Sequence, residues 1–189
     1  MKLLPAAFVA AFHLASCSPA GPKAPAVSNS VDLVQNEDGL AYATGSSVPY
    51  SGEVIGYRAG QGVESVAVYR EGRPHGLWQR FGSKNRLKRE ERYESGSKVH
   101  ERQWYDDGVL KFDAQMRDGV RFGRIQLWWP DGRLRRTSSI GSDFKMHGHA
   151  LEYAEDGTVL TDAIFDHGTY ISGTLRKDPV AKTVTAQAN

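Results

Sequence analysis

Five segments of the chain repeat one pattern at a spacing of 23 to 25 residues. A period of that length restricts the fold more than any composition does. The copies open at Gly52, Gly76, Val99, Gly123 and Gly148, with Gly173 opening a stub. The fifth residue after each start is aromatic: Tyr57, Phe81, Trp104, Trp128 and Tyr153. The eleventh is aliphatic: Val63, Leu87, Leu110, Leu134 and Val159. The seventeenth is Tyr69, Tyr93, Met116, Ile140 and Phe165. The twentieth is Gly72, Gly96, Gly119 and Gly168, with Asp143 as the exception. Aromatics make up 10% of the chain, so composition alone does not fill one column in every copy.

Each period holds two turn signals. One is Asp107-Gly108, Asp131-Gly132 or Asp156-Gly157; the other is Glu71-Gly72, Ser95-Gly96, Asp118-Gly119 or His167-Gly168. X-Gly between short aromatic and β-branched runs predicts hairpins with I′-type turns, because Gly supplies positive φ and Asp tolerates it. About six to eight residues remain between turns, which suits strands and is too short for helices. The expected fold is all-β: an elongated antiparallel meander of about five β-hairpin repeats. A lone hairpin is marginal in water, so the copies must stack to bury their aromatic columns.

The residues resemble the MORN-repeat variant, with its G-x-W-x-x-Y-y-x-x-G-x-L pattern and a Y-x-x-G between copies. The nearest such group is that of bacterial YwqK-family antitoxins. Gly76-Leu77-Trp78 with Phe81 and Leu87 carries the likeness. So do Gly123 with Trp128, Trp129, Gly132 and Leu134, and Gly148 with Tyr153, Gly157 and Val159. It spans roughly residues 48–173. Val99 departs from it in place of an opening Gly, Asn85 in place of a turn Gly, and the Gly52 copy in its turn spacing. The resemblance implies a repeat sheet and, as one function, neutralising a toxin by direct binding. A repeat fold does not by itself fix what it binds.

Residues 1–16 read as a lipoprotein signal peptide. Lys2 is the positive start, and Leu3 to Leu14 an apolar run too short to span a bilayer. Leu14-Ala15-Ser16-Cys17 resembles the bacterial lipobox, and Cys17 is the single cysteine of the chain. That resemblance implies a lipidated Cys17 at a new N-terminus, with acyl chains (palmitate among them) in the bilayer. Several chains hold a protein stably where one does not. Ser18 after the Cys resembles the outer-membrane-sorted type of such lipoproteins, a likeness that implies a place in the outer membrane facing the periplasm. Residues 17–30, rich in Pro, Ala and Ser, form a flexible tether. Residues 31–51 are expected to supply cap strands over the sheet's open edge, residues 52–175 the repeats, and residues 176–189 a disordered tail.

No disulfide or thiol nucleophile is expected, and none of the common catalytic or nucleotide-binding motifs is present. His147 and His149, two apart, would share a strand face, with His167 as a third ligand. But His75 and His147 occupy the same slot before the opening Gly. They are read as exposed turn residues, and no metal or cofactor is expected. Asp106, Asp107, Asp118, Asp131 and Asp156 have turn roles. The 24 Lys and Arg nearly balance the 22 Asp and Glu, which argues against a nucleic-acid binder.

Two basic runs stand at equivalent places: Arg86-Leu87-Lys88-Arg89 with Arg92, and Arg133-Leu134-Arg135-Arg136. The first has Glu90, Glu91 and Glu94 for cross-strand pairing. The second has no acidic near neighbours and makes the better patch. Trp129 must point away from Trp128, and Tyr105 away from Trp104, so both reach the sheet's other face. Tyr105, Trp129, Arg133, Arg135 and Arg136 are therefore the expected partner-binding surface. The resulting expectation is a non-enzymatic, membrane-anchored protein-interaction or scaffold module of the bacterial envelope. The alternative is an antitoxin or immunity protein. The partner is a protein, a toxin among the possibilities.

Overall fold

The computed structural model describes residues 31–60 and 62–176. The expected leader, Cys17, the expected tether and the expected tail from residue 177 on lie outside the described residues. The described strands are β1 (Leu33–Gln35), β2 (Ala41–Ala43), β3 (Gly52–Arg58), β4 (Gly62–Arg70), β5 (Arg73–Pro74), β6 (Gly76–Phe81), β7 (Leu87–Glu94) and β8 (Ser97–Trp104). They continue as β9 (Leu110–Arg117), β10 (Val120–Trp128), β11 (Leu134–Ile140), β12 (Gly148–Tyr153), β13 (Val159–Asp166) and β14 (Thr169–Thr174). From β3 onward they form one antiparallel sheet in chain order, with β5 a short arm on β4. The all-β hairpin meander expected from the period is the fold.

The sequence columns are cross-strand pairs. Tyr57 stands opposite Val63, Phe81 opposite Leu87, Trp104 opposite Leu110, Trp128 opposite Leu134 and Tyr153 opposite Val159. In each hairpin the register slips by one residue just before that pair, so the aliphatic partner is followed by a bulged residue. The bulge turns the seventeenth-residue column to the other face of the sheet. There Tyr69, Trp78 and Tyr93 lie tilted against one another with ring centres 5.1 and 4.8 Å apart, and the Trp78 indole N–H donates to the Val68 carbonyl. One buried apolar cluster is Ile55, Val63, Val66, Phe81 and Leu87, and Trp104 packs on it. Leu87 is only 1% exposed, whereas Tyr57 and Val159 at the outer copies are 44% and 50% exposed. The aromatic column is thus a core in the second copy and a half-covered surface elsewhere.

The two turn classes differ, contrary to the single I′ expectation. Glu71, Ser95, Asp118 and His167 all have positive φ, as do the glycines after them, which is the I′ turn. At Asp107-Gly108, Asp131-Gly132 and Asp156-Gly157 only the Gly is left-handed. Here the connection is longer: Gly132 N–H donates to the Trp129 carbonyl, and Trp129 N–H to that of Arg133. The Asp takes a different part, its Oδ1 accepting from the N–H two residues on, at Val109, Arg133 and Thr158. This is the Asx-type closure that makes Asp a turn former without positive φ. Asn85, in place of a turn Gly, adopts φ of 53°.

The opening glycines sit at a second irregularity. Gly76, Gly123 and Gly148 have φ of 66°, 64° and 81°. Between β9 and β10 the register slips by two across Gly123, while between β7 and β8 it slips by one, past Val99. A non-Gly residue resists the left-handed conformation, so the Val99 copy makes the smaller bulge.

The cap strands also differ from expectation. β1 and β2 form their own two-stranded sheet and do not pair with the edge strand β3. They dock instead on the Glu71-Gly72 turn, where Ala41 N–H donates to the Gly72 carbonyl at 2.9 Å. A Cβ on Gly72 would come within 2.7 Å of the Leu40 Cβ, so this turn leaves no room for a side chain.

Candidate interaction surface

In three copies the residue after the aromatic of the fifth column and the bulged residue across from it form a pair. In the hairpin of β8 and β9 these are Tyr105 and Lys111, the ammonium 5.4 Å from the ring centre. In that of β10 and β11 they are Trp129 and Arg135, with the guanidinium 4.5 Å from the ring. In the first copy the same slots hold Arg58 and Glu64, an ion pair at 2.5 Å. The bulge is what brings the pair together, because it swings the extra residue over the neighbouring strand end. A cation over an aromatic face gains from the ring quadrupole and keeps its charge outward.

The expected surface of Tyr105, Trp129, Arg133, Arg135 and Arg136 is divided in the structure. Trp129 and Arg135 meet. Tyr105 joins the next hairpin by donating its hydroxyl to the Trp128 carbonyl at 2.8 Å. Arg133 is not a free cation: its guanidinium lies 2.6 Å from Asp131 and also donates to the Glu155 carbonyl. The acidic partner was two residues away in the chain, inside the Asx turn. That hydrogen bonding holds the Asp131 carboxyl below the usual carboxylate range. Arg136 falls on the side of the ladder with Leu127 and Ile125 and reaches a separate groove.

That groove, about 370 Å³, has Phe112, Ile125, Leu127, Ile140 and Met146 as its apolar floor. Lys111, Arg121 and Arg136 stand around it, and no carboxylate is among its lining residues. Arg121 covers the Phe112 ring at 4.7 Å. Glu152 lies across the ladder from Arg136 and is bound at 3.4 Å by Arg176. Sequence reasoning missed Lys111, Arg121 and Phe112. The signal was the alternation along β9 and β10, which places Phe112, Ile125 and Leu127 on one face once the bulges are counted.

The first basic run contrasts with this. Arg89 lies 2.9 Å from Glu91 and 3.3 Å from Glu101; Lys98 bridges the same two carboxylates at 3.0 and 3.3 Å. Lys88 pairs with Asp106 and Arg92 with Glu94. Burial pushes the Glu101 carboxyl up, but the Gln103 amide, Arg89 and Lys98 outweigh it and hold the group below its ordinary range. Charge is neutralised here and left open at the groove.

On the opposite face, Asp113 receives His100 at 2.9 Å and Arg102 at 2.8 Å, so both of its oxygens are engaged. The histidines read from sequence separate. His149 turns to Asp162 at 2.5 Å, while His147 and His167 approach one another with ring centres 5.3 Å apart. No protein-family model matches the chain. No curated protein matches it significantly either.

Proposed function

We propose that the protein is a non-enzymatic interaction module, tethered to the bacterial envelope through a lipidated Cys17, that binds an acidic partner protein on the face carrying Trp129 and Arg136. The observation that carries this reading is the groove of Phe112, Ile125, Leu127, Ile140 and Met146 ringed by Lys111, Arg121 and Arg136. An apolar floor beside cations that make no ion pair among the described residues favours a partner segment that pairs large apolar side chains with carboxylates. The Trp129–Arg135 stack flanks the groove's hairpin with the residue types that dominate binding energy. The Trp129 indole N–H is covered and has no acceptor among the described residues. A partner oxygen can take it up when Arg135 lifts to meet a carboxylate.

The lipobox-like Leu14-Ala15-Ser16-Cys17 supports the tether, and the near-neutral total charge supports a local patch rather than a polyanion surface. The test is co-purification of partners from solubilised membranes. Changing Trp129 and Arg135 to Ala is expected to remove the specific partner while the sheet folds normally by circular dichroism. An unchanged partner profile would refute the assignment of this face.

A further inference from the structure

We infer that His147, Asp166 and His167 form a binding site for a divalent transition metal of the zinc class, with Asp143 orienting His167. One carboxylate oxygen links the two imidazoles. Asp166 Oδ1 lies 3.0 Å from His147 Nδ1 and 3.6 Å from His167 Nε2. The ligand atoms of all three residues lie within 4.8 Å of one another. Ligands about 2.0–2.1 Å from a tetrahedral zinc stand roughly 3.3 Å apart, so both carboxylate–imidazole distances bracket what the ion requires. Two imidazoles and a carboxylate are the donor set of a three-ligand site whose fourth position takes water or a partner's side chain.

The second observation is Asp143. Its Oδ2 lies 2.8 Å from His167 Nδ1, and its Oδ1 accepts the Lys145 N–H at 3.2 Å. With Nδ1–H donated to Asp143, the free lone pair of His167 is on Nε2, the atom that faces Asp166. A carboxylate behind a ligating imidazole fixes its tautomer and ring angle in this way. Asp143 stands where the other copies have a turn Gly, so the residue that breaks the column has a specific contact.

The repeat explains why this corner alone is a site. A backbone bond recurs at the open end of the β3–β4, β6–β7 and β12–β13 hairpins: Gly72 N–H to the Tyr50 carbonyl, Gly96 to Pro74 and Gly168 to Met146, each at 2.8 Å. It sets the residue before an opening Gly beside the next I′ turn. In the first copy these slots hold Ser51, Arg70 and Glu71, and the Glu71 N–H donates to the Ser51 hydroxyl. In the second they hold His75, Glu94 and Ser95, and in the third Lys98, Arg117 and Asp118. Among these the last copy combines two imidazoles with a carboxylate.

The test is calorimetric titration of zinc chloride into the full chain carrying Cys17→Ser, which removes the thiolate as a rival ligand. One ion per chain is expected. His147→Ala and His167→Ala should each weaken binding at least tenfold, and Asp143→Asn about tenfold through loss of orientation. His149→Ala should leave affinity unchanged. Since His147, Asp166 and His167 are all exposed, the metal-free variants should unfold at the wild-type temperature. Zinc should then raise that temperature for wild type and not for the His147→Ala/His167→Ala double variant. Absence of saturable binding would overturn the site. So would equal binding by the double variant, or an equal loss in His149→Ala.

Discussion

Trp128 stands directly opposite Leu134, and the residue skipped after Leu134 is Arg135, whose guanidinium lies on the Trp129 ring. One register slip therefore does two things. It sets a half-buried aromatic–aliphatic pair on one face, and it raises a cation–aromatic pair at the strand end.

Core weight is uneven along this column. Phe81 and Leu87 are 4% and 1% exposed, so Phe81→Ala or Leu87→Ala should cost about 3–4 kcal/mol. Tyr57→Ala and Val159→Ala, at the exposed outer copies, should cost under about 1 kcal/mol. Urea unfolding monitored by tryptophan fluorescence and by circular dichroism would measure both. It would also show whether the outer copies melt separately, as stacked repeats can.

The opening glycines should be intolerant for a backbone reason. Gly123→Ala places a Cβ at a residue with φ of 64° and 2.7 Å from the Gln115 amide oxygen. A loss of about 1–2 kcal/mol is expected in thermal or urea melts. Val99→Gly should give no gain and a loss of about 0.5–1 kcal/mol, since the bulge there does not need positive φ.

The Glu91–Glu101 cross-strand pair depends on its cations. Lys98→Met would leave only Arg89 on two facing carboxylates, with Glu101 only 5% exposed. About 1–2 kcal/mol of destabilisation at pH 7 is expected. In wild type, Glu101 has its folded pKa below the ordinary value, so its contribution is present above that ordinary value, near 4.5. It is lost as pH falls through the lowered folded value. Glu101→Gln should flatten this acid limb of a plot of melting temperature against pH. A variant with the wild-type acid slope would contradict the assignment.

The tether is tested by mass spectrometry of the N-terminal peptide from membrane-purified protein. A triacylated Cys17 is expected. An unmodified N-terminus in the soluble fraction would remove the anchor and favour a soluble toxin neutraliser.

The sheet was legible because its signal is columnar. Each copy restates the positions of Phe81 and Leu87, and five restatements outweigh the substitutions at Val99 and Asn85. The site was less legible because it depends on bulges, which sequence spacing does not display. Counting Arg133, Arg135 and Arg136 as one patch assumed simple alternation. The slip at Leu134 sends Arg135 to Trp129 and Arg136 to the groove, while the Asx turn takes Arg133. In the same way His147 and His149 looked paired by parity. The partner that His147 meets is Asp166, nineteen residues on and one step past the Gly148–Phe165 rung of the β12–β13 ladder.

The most direct measurement is photocrosslinking in living cells from a benzophenone amino acid placed at position 129, with position 77 on the other face as control. A single discrete adduct from position 129 is predicted, absent from position 77 and lost when Arg136 is changed to Glu. Equal adducts from both positions, or an adduct indifferent to Arg136→Glu, would contradict the claim that this basic, aromatic face is where the protein binds.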